Sequence, residues 1–184
     1  MHLVSVITPV LNSQRTIEST IRSVLEQTYN NIEYIIVDNG SKDRTMDIVN
    51  KYKDRISKII FEDKIGIYTT MNKGIRSANG EIISILNSDD IYADREVIET
   101  VVEEMQKKRA DACWGDLVYV NRTDPKKIVR YWKSSEIKPE AFIKGWMPPH
   151  PTFFVRLWVY KKYGFFKTEF KIAADYEIML RFLY

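Results

Sequence analysis

The chain has 184 residues, of which 45% are hydrophobic and 29% charged, and a formal net charge of +3. That length suits one domain with a substantial core, and so small a charge argues against a nucleic-acid partner. The basic clusters Lys107-Lys108-Arg109, Lys126-Lys127 and Lys161-Lys162 are short and scattered, as on solvated faces.

A first strand is expected from Leu3 to Thr8, closed by Pro9. A helix follows, with Asn12 or Ser13 as cap and Ile17, Ile21, Val24 and Leu25 at helical spacing. A second strand, Ile32 to Val37, leads into the turn Asp38-Asn39-Gly40-Ser41, and Ser41 or Asp43 is placed to cap a helix through Tyr52. A third strand covers Lys58 to Phe61. A helix from about Tyr68 to Ala78 stops at Asn79-Gly80. The fourth strand, Glu81 to Leu86, runs into Asn87-Ser88-Asp89-Asp90, and another helix spans about Arg95 to Lys107.

The later part reads differently. Ala112 to Asn121 and Ile128 to Lys133 are expected as two strands around the polar turn Arg122-Thr123-Asp124-Pro125. A short helix is expected over Pro139 to Lys144. Trp146 to Pro151, with three prolines, is expected to be a non-helical shaped loop. Thr152 to Val155 reads as a short strand, and Asp175 as the residue that opens the last helix. That helix pattern stops without a cap at Tyr184, as in a chain trimmed at its C-terminus.

Cys113 stands alone, which excludes an internal disulfide framework and a cysteine-based zinc site and suits a reducing, cytoplasmic setting. The N-terminus lacks a signal-peptide pattern, and no apolar run approaches the ~20 residues of a membrane span.

Strands alternating with helices, two of the strands nearly all apolar, imply a largely parallel sheet covered on both faces. Ligands of such sheets sit at the carboxyl ends of the strands. Thr8, Asp38 and Asn87 to Asp90 all fall at such ends. Adjacent carboxylates at a strand end gain little from packing, whereas a hard cation or a cation-bound phosphate gives them a task. Taken singly, each residue has a plainer reading. Asp38 suits a turn, Asp90 and Asp175 suit helix caps, and His150 suits packing between prolines. No glycine-rich dinucleotide fingerprint follows the first strand, and no Gly-Lys-Ser/Thr phosphate loop occurs.

Together these segments resemble the family 2 glycosyltransferases of the GT-A fold. The matching pieces are Ser5 to Asn12, Ser23 to Tyr29, Ile36-Val37-Asp38-Asn39-Gly40-Ser41-Lys42-Asp43-Arg44-Thr45, Gly66 to Ile75, Ala78-Asn79-Gly80-Glu81, and Leu86-Asn87-Ser88-Asp89-Asp90. The resemblance implies a single domain over 1–184, with a donor half over 1–95 and an acceptor half over 96–184. It implies an inverting transfer from a nucleotide-diphosphate sugar, usually a UDP-sugar, to a saccharide or lipid-linked acceptor in polysaccharide assembly. Thr8, Pro9 and Asp38 would hold the base, and Asn72, Asn87 and Ser88 would edge the donor site. Asp89 would ligate Mn²⁺ or Mg²⁺ on the diphosphate, and Asp175 would be the general base. Asp90, Asp116, Trp146 and His150 are candidates for support or for the acceptor side. Peripheral membrane association through a further C-terminal region is part of the same expectation.

The chain departs from the family pattern at three places. Asn87 stands where the metal motif usually begins with an acid, Ala174 where a Glu often precedes the base, and Met71 where an Arg often precedes the helical Asn. A sugar-phosphate nucleotidyltransferase and a nucleotide-sugar-binding module without catalysis are the other readings. The first normally needs a glycine-rich basic loop that Pro9 to Ser13 does not supply.

Overall fold

The computed structural model describes the whole chain except residues 65, 122, 123, 125 and 135–138 and the side chain of Pro139. Apart from Asp124, the expected turn after Asn121 therefore lies outside the described residues. The elements are β1 (Val4–Val10), α1 (Ile17–Leu25), β2 (Ile32–Asp38), α2 (Thr45–Asn50), β3 (Lys58–Phe61), α3 (Ile67–Ser77), β4 (Ile82–Ile85) and α4 (Val97–Lys107). They continue with β5 (Ala112–Cys113), β6 (Leu117–Val120), β7 (Ile128–Trp132), α5 (Pro139–Ile143), β8 (Phe154–Arg156), α6 (Leu157–Tyr163) and α7 (Ala174–Leu183).

The main sheet has the order β3-β2-β1-β4-β8-β5. Strands β1 to β4 are mutually parallel, and β8 runs antiparallel to both β4 and β5. Alternation along the strands splits the interior into two cores. Val4, Val6, Tyr34, Ile36 and Ile82 meet α1, α2 and α4 on one face. Ile7, Ile35, Val37, Ile83 and Val155 meet α3, α6 and α7 on the other. Helix α3 lies close because Gly74 faces β1. A Cβ there would stand 2.4 Å from Ile7 Cγ2. This is the α/β arrangement expected for the GT-A fold, a mostly parallel sheet with helices on both faces.

Strand β1 does not close at Pro9 but runs through it to Val10. Ile7 O accepts from Leu86 N on the β4 side, and Val10 O accepts from Asn39 N on the β2 side. By alternation Pro9 faces β4, whose pairing has ended at Ile7↔Ile85, so its missing N–H breaks no ladder bond.

The expected single strand from Ala112 to Asn121 divides in two. Asp116 accepts hydrogen bonds from Ser134 N, Ser134 Oγ and Tyr131 Oη. These leave the segment between β5 and β6 outside both ladders, so β5 joins the main sheet and β6 pairs only with β7. The loop from Trp146 closes with a 3₁₀ turn at His150–Thr152, so its end is helical after all, with proline in the first turn where no N–H is needed. Helix α6 was not expected. Its Trp, Val and Tyr read as strand residues, and burial of Val159 and Tyr160 against the second core overrides that preference.

Candidate active site

Three loops at the carboxyl ends of β1, β2 and β4 build the first part of the site. The β1–α1 and β2–α2 loops are laced together. Asn12 N donates to Ser41 Oγ and Lys42 N to Asn12 Oδ1. Ser13 N donates to Thr45 Oγ1, Gln14 N to Asp43 Oδ2 and Arg44 N to Gln14 Oε1. Neither Asn12 nor Ser13 caps α1, because their side chains serve this lacing. Ser13 Oγ instead lies 2.7 Å from Ser88 Oγ, which ties in the loop after β4. Asp43 accepts from Thr45 N at 3.0 Å, one residue ahead of the α2 cap, which is Arg44 and not Ser41 or Asp43. That helix ends at Asn50, short of the expected Tyr52.

Asp38 is buried at the end of β2, and its carboxylate accepts the N–H groups of Gly40 and Ser41 at 3.2 Å. It builds its own turn, and Gly40 at φ 88° completes it. Thr8 is fully buried with its hydroxyl 3.2 Å from that of Tyr34, and Pro9 is buried beside it. The first exposed positions after β1 are Leu11 and Asn12.

The acidic cluster divides by environment. Asn87 Nδ2 donates to Asp90 Oδ2 at 3.0 Å. Burial pushes the Asp90 carboxyl above the usual carboxylate range and the neighbouring Asp89 charge adds to this, against the Asn87 hydrogen bond. Asp90 caps no helix, since α4 begins only at Val97. Its carbonyl accepts from Thr20 Oγ1 instead. Asp89 is exposed, and no hydrogen bond or ion pair engages its carboxylate among the described residues. It lines a cleft of about 730 Å³ with Ser13, Arg15, Asp43, Ser88 and, from the tip of β6, Val120 and Asn121.

No group of three His, Cys, Asp or Glu converges among the described residues. One free carboxylate beside hydroxyls is the donor set of a hard divalent cation that completes its shell with phosphate and water oxygens. A self-sufficient protein cage would need more. The residues present fit Mg²⁺ or Mn²⁺ carried on a diphosphate.

The second part of the site lies on the α3 face. Asp175 is in the first turn of α7, not at its cap. The cap is Ala173, held at φ 67°. Tyr68 Oη accepts from Ala174 N at 3.2 Å and donates to Asp175 Oδ1 at 3.3 Å. The Tyr68 ring stacks on Phe166 at 5.6 Å, and His150 meets the same ring edge-on at 5.9 Å. Desolvation pushes the His150 imidazole below its ordinary value and the nearby Asp175 charge opposes this, so His150 is neutral near pH 7.

Asn72 has a task the sequence did not suggest. Its Nδ2 donates to Phe166 O at 2.8 Å and its Oδ1 accepts from Phe166 N at 2.9 Å. This amide clamp fixes the ring against which Tyr68 and His150 pack. Asp116 is likewise engaged within the hairpin, and Trp146 is half-buried, its backbone N–H donated to Ala141 O.

Asn39 joins the two parts. Its Nδ2 donates to Glu62 O and Lys64 O, both at 2.9 Å, and its Oδ1 accepts from Gly66 N at 3.1 Å. The turn that carries Asp38 therefore also sets the start of α3, and with it Tyr68. Tyr68 and Asn39 are candidate positions that sequence reasoning passed over. Both stand inside the segments that carried the family resemblance, which is the signal that marked them.

The sequence profile of the family described as Glycosyl transferase family 2 matches residues 5–170. A glycosyltransferase of Rickettsia typhi, RT0329, is 30% identical over 192 aligned positions, covering 98% of this chain and 58% of that protein. GlyG of Streptococcus pneumoniae is 35% identical over 125 residues, 66% of this chain and 41% of that protein. Escherichia coli WfaP, a UDP-Glc:alpha-D-GlcNAc-diphosphoundecaprenol beta-1,3-glucosyltransferase, is 42% identical over 98 residues, 53% of this chain and 39% of that protein. The chain thus spans about half the length of these relatives.

Among solved structures, S. aureus TarS (residues 1–349) in complex with UDP-GlcNAc superimposes with a TM-score of 0.82 at 23% identity, covering 97% of this chain and 52% of that one. The mannosyltransferase PcManGT of Pyrobaculum calidifontis, in complex with GDP-Man and Mn²⁺, gives 0.69 at 21% identity, covering 96% and 50%. At these identities the likeness is one of fold.

Proposed function

The chain belongs to glycosyl transferase family 2, and on that premise we propose that it transfers a sugar from a nucleotide diphosphate, UDP foremost, to an acceptor hydroxyl with inversion. The observation that carries the reading is Asp89. It is an exposed, unengaged carboxylate at a strand end, in a cleft walled by laced loops. Names among the relatives and neighbours support the donor class, since WfaP uses UDP-Glc and TarS was solved with UDP-GlcNAc. Residues 1–95 form the donor half in this reading, and 96–184 the acceptor half. A saccharide or lipid-linked hydroxyl is the acceptor class.

Asp89 would hold Mn²⁺ or Mg²⁺ on the donor diphosphate, with Asn87 and Ser88 beside it. When bound, such an ion neutralises charge that develops on the leaving diphosphate. The Asp38 turn, with Thr8 and Pro9 behind it, forms the floor for the base. Asp175 takes the proton of the attacking hydroxyl. Tyr68 holds the Asp175 carboxylate, and Asn72 holds the platform under Tyr68. His150, neutral and beside that platform, offers a hydrogen bond to the acceptor or its sugar. Attack from the face opposite the leaving group inverts the anomeric carbon.

Calorimetry with UDP, GDP and ADP, each with and without Mn²⁺, tests the donor half. Metal-dependent binding of UDP is expected. Sugar release from a UDP-sugar by the same sample then separates an enzyme from a binding module. A chain that bound none of the three would overturn the reading.

A further inference from the structure

The β6–β7 hairpin leaves a surface that neither core covers. Asp116 to Ser134 carries five Lys or Arg against two Asp by sequence, a net +3 equal to that of the whole chain. The rest of the sequence is thus neutral, and the described residues of the segment alone carry four cations against two Asp. The described cations there, Lys126, Lys127, Arg130 and Lys133, are all exposed.

The ribbon is also apolar. Its register pairs Val118 with Tyr131 and Val120 with Ile128 on one face, with an irregularity beside Tyr119 and Val120 that leaves Val129 as the extra residue. Ile128 is 57% exposed, Val129 67% and Tyr131 56%. On the other face Arg130 lies over the rings of Tyr119 and Trp132, at 5.5 and 5.7 Å. A two-stranded ribbon with aliphatic residues in water on one side is marginal without something to cover it.

We infer that this hairpin docks the protein on a membrane surface bearing anionic headgroups. Two features choose that occupant. Cations interleaved with aliphatic and aromatic side chains match an interface that is charged at headgroup level and apolar just beneath. A second copy of the chain, related by a two-fold axis, would place two +3 ribbons against each other. A nucleic acid would take the cations but gain little from exposed Ile128 and Val129. The geometry also has a consequence for the neighbouring cleft. Val120 and Asn121, at the ribbon's turn end, line the cleft that holds Asp89, so docking would bring that cleft to the membrane surface. The inference stands on the hairpin alone and does not need the proposed transfer.

Co-sedimentation of the chain with phosphatidylcholine vesicles, and with vesicles containing phosphatidylglycerol, tests it. Binding is expected to the anionic vesicles, little to the neutral ones, and less as salt rises. Lys126→Glu combined with Lys127→Glu should lower the partition coefficient roughly 30-fold or more. Ile128→Ser with Val129→Ser should lower it roughly tenfold at constant charge. Melting temperature and UDP affinity, measured on each variant, should match the parent. Four results would overturn the inference. The chain ignores both vesicle types, or the Ile128/Val129 variant binds vesicles as the parent does. Alternatively, the parent binds single-stranded DNA as tightly as anionic vesicles. Finally, the parent self-associates in solution and the Ile128/Val129 variant does not, which assigns the face to a second copy.

Discussion

Asp89 and Asp175 are held by the fold in opposite ways. Asp89 projects from a loop with its carboxylate unengaged, while Asp175 is gripped through Tyr68 on a packed aromatic platform. A ligand-binding carboxylate gains from accessibility, and a general base gains from fixed geometry. Their loss should therefore differ in kind. Asp89→Ala should weaken metal-dependent UDP binding and lower kcat/KM by at least ~100-fold. Asp175→Asn should leave UDP binding intact and lower kcat by roughly 10²–10⁴-fold. Calorimetry and single-turnover kinetics on both variants check this, and near-normal turnover of Asp175→Asn would remove it from the base role. Tyr68→Phe deletes only the hydroxyl that joins Ala174 N to Asp175. Its kcat should fall roughly 10- to 100-fold with UDP affinity unchanged. A variant that lost donor affinity instead would assign Tyr68 to donor binding and not to holding the base.

Legibility at this scale followed from where side chains point. Asp89 stood out because an acid after an apolar strand has few structural uses. Asn72 stood out for the family pattern, yet its amide is spent on the backbone of Phe166, 94 residues away, a partner that no local spacing reveals.

At the level of elements, α1 has its cap at Thr16, three residues beyond the expected Ser13, while β1, β2, β3 and α3 were legible to within a residue or two from their apolar patterns. Helix α6 and the break between β5 and β6 were not. The first depends on a core contributed by distant segments, and the second on Asp116 finding Ser134 and Tyr131. Glu33 belongs with these. It is the second residue of β2, an otherwise largely apolar strand, and no local spacing marks it. In the fold it is buried and joins four elements. Its carboxylate accepts from Ser5 Oγ of β1, Asn79 N and Asn79 Nδ2 before β4, and pairs with Lys58 Nζ of β3 at 2.7 Å. Burial alone would raise its pKa, but the Lys58, Ser5 and Asn79 bonds outweigh that and hold it below the ordinary value.

A folded pKa below the unfolded one means stability present above about pH 4.5, the ordinary glutamate value, and lost as pH falls through the lower folded value. Glu33→Gln cannot pair with Lys58, so it should cost about 2–4 kcal/mol at pH 7. The gap between variant and parent should close as the parent's own carboxyl is protonated. Urea unfolding at pH 7 and at pH 3.5 measures both. A gap independent of pH would mean that Glu33 acts by packing rather than by charge.

Over the whole molecule, the proposed donor site lies at one edge of a sheet whose opposite edge is closed. The amino ends of β1 and β4 are sealed by short turns. Glu81 N and Ile82 N both donate to Leu3 O, and Gly80 N donates to Ser5 Oγ, so no crevice opens there. A Cβ on Gly80 would stand 2.5 Å from Ser5 N, which shows how tightly that edge is shut. The carboxyl ends instead carry the laced loops, Asp38, Asn39 and Asp89. Donor binding should therefore protect the backbone on one edge only. In hydrogen exchange, saturating UDP and Mn²⁺ are expected to slow amides of the loops after β1, β2 and β4. The turn before β4 and the amino end of β2 should be unchanged. With free donor at 100 times its Kd, the binding-linked stabilisation is about 2.7 kcal/mol. Loops that open locally should then exchange up to ~100-fold more slowly. Because Asn39 ties the Asp38 turn to Gly66, the first turn of α3 should share that protection although it contacts no donor atom directly. Protection of the β1, β2 and β4 loops without α3 would mean that the Asp38 turn and α3 respond independently, despite the Asn39 link. Protection spread evenly over both edges of the sheet would mean that binding stabilises the fold globally and does not mark a site.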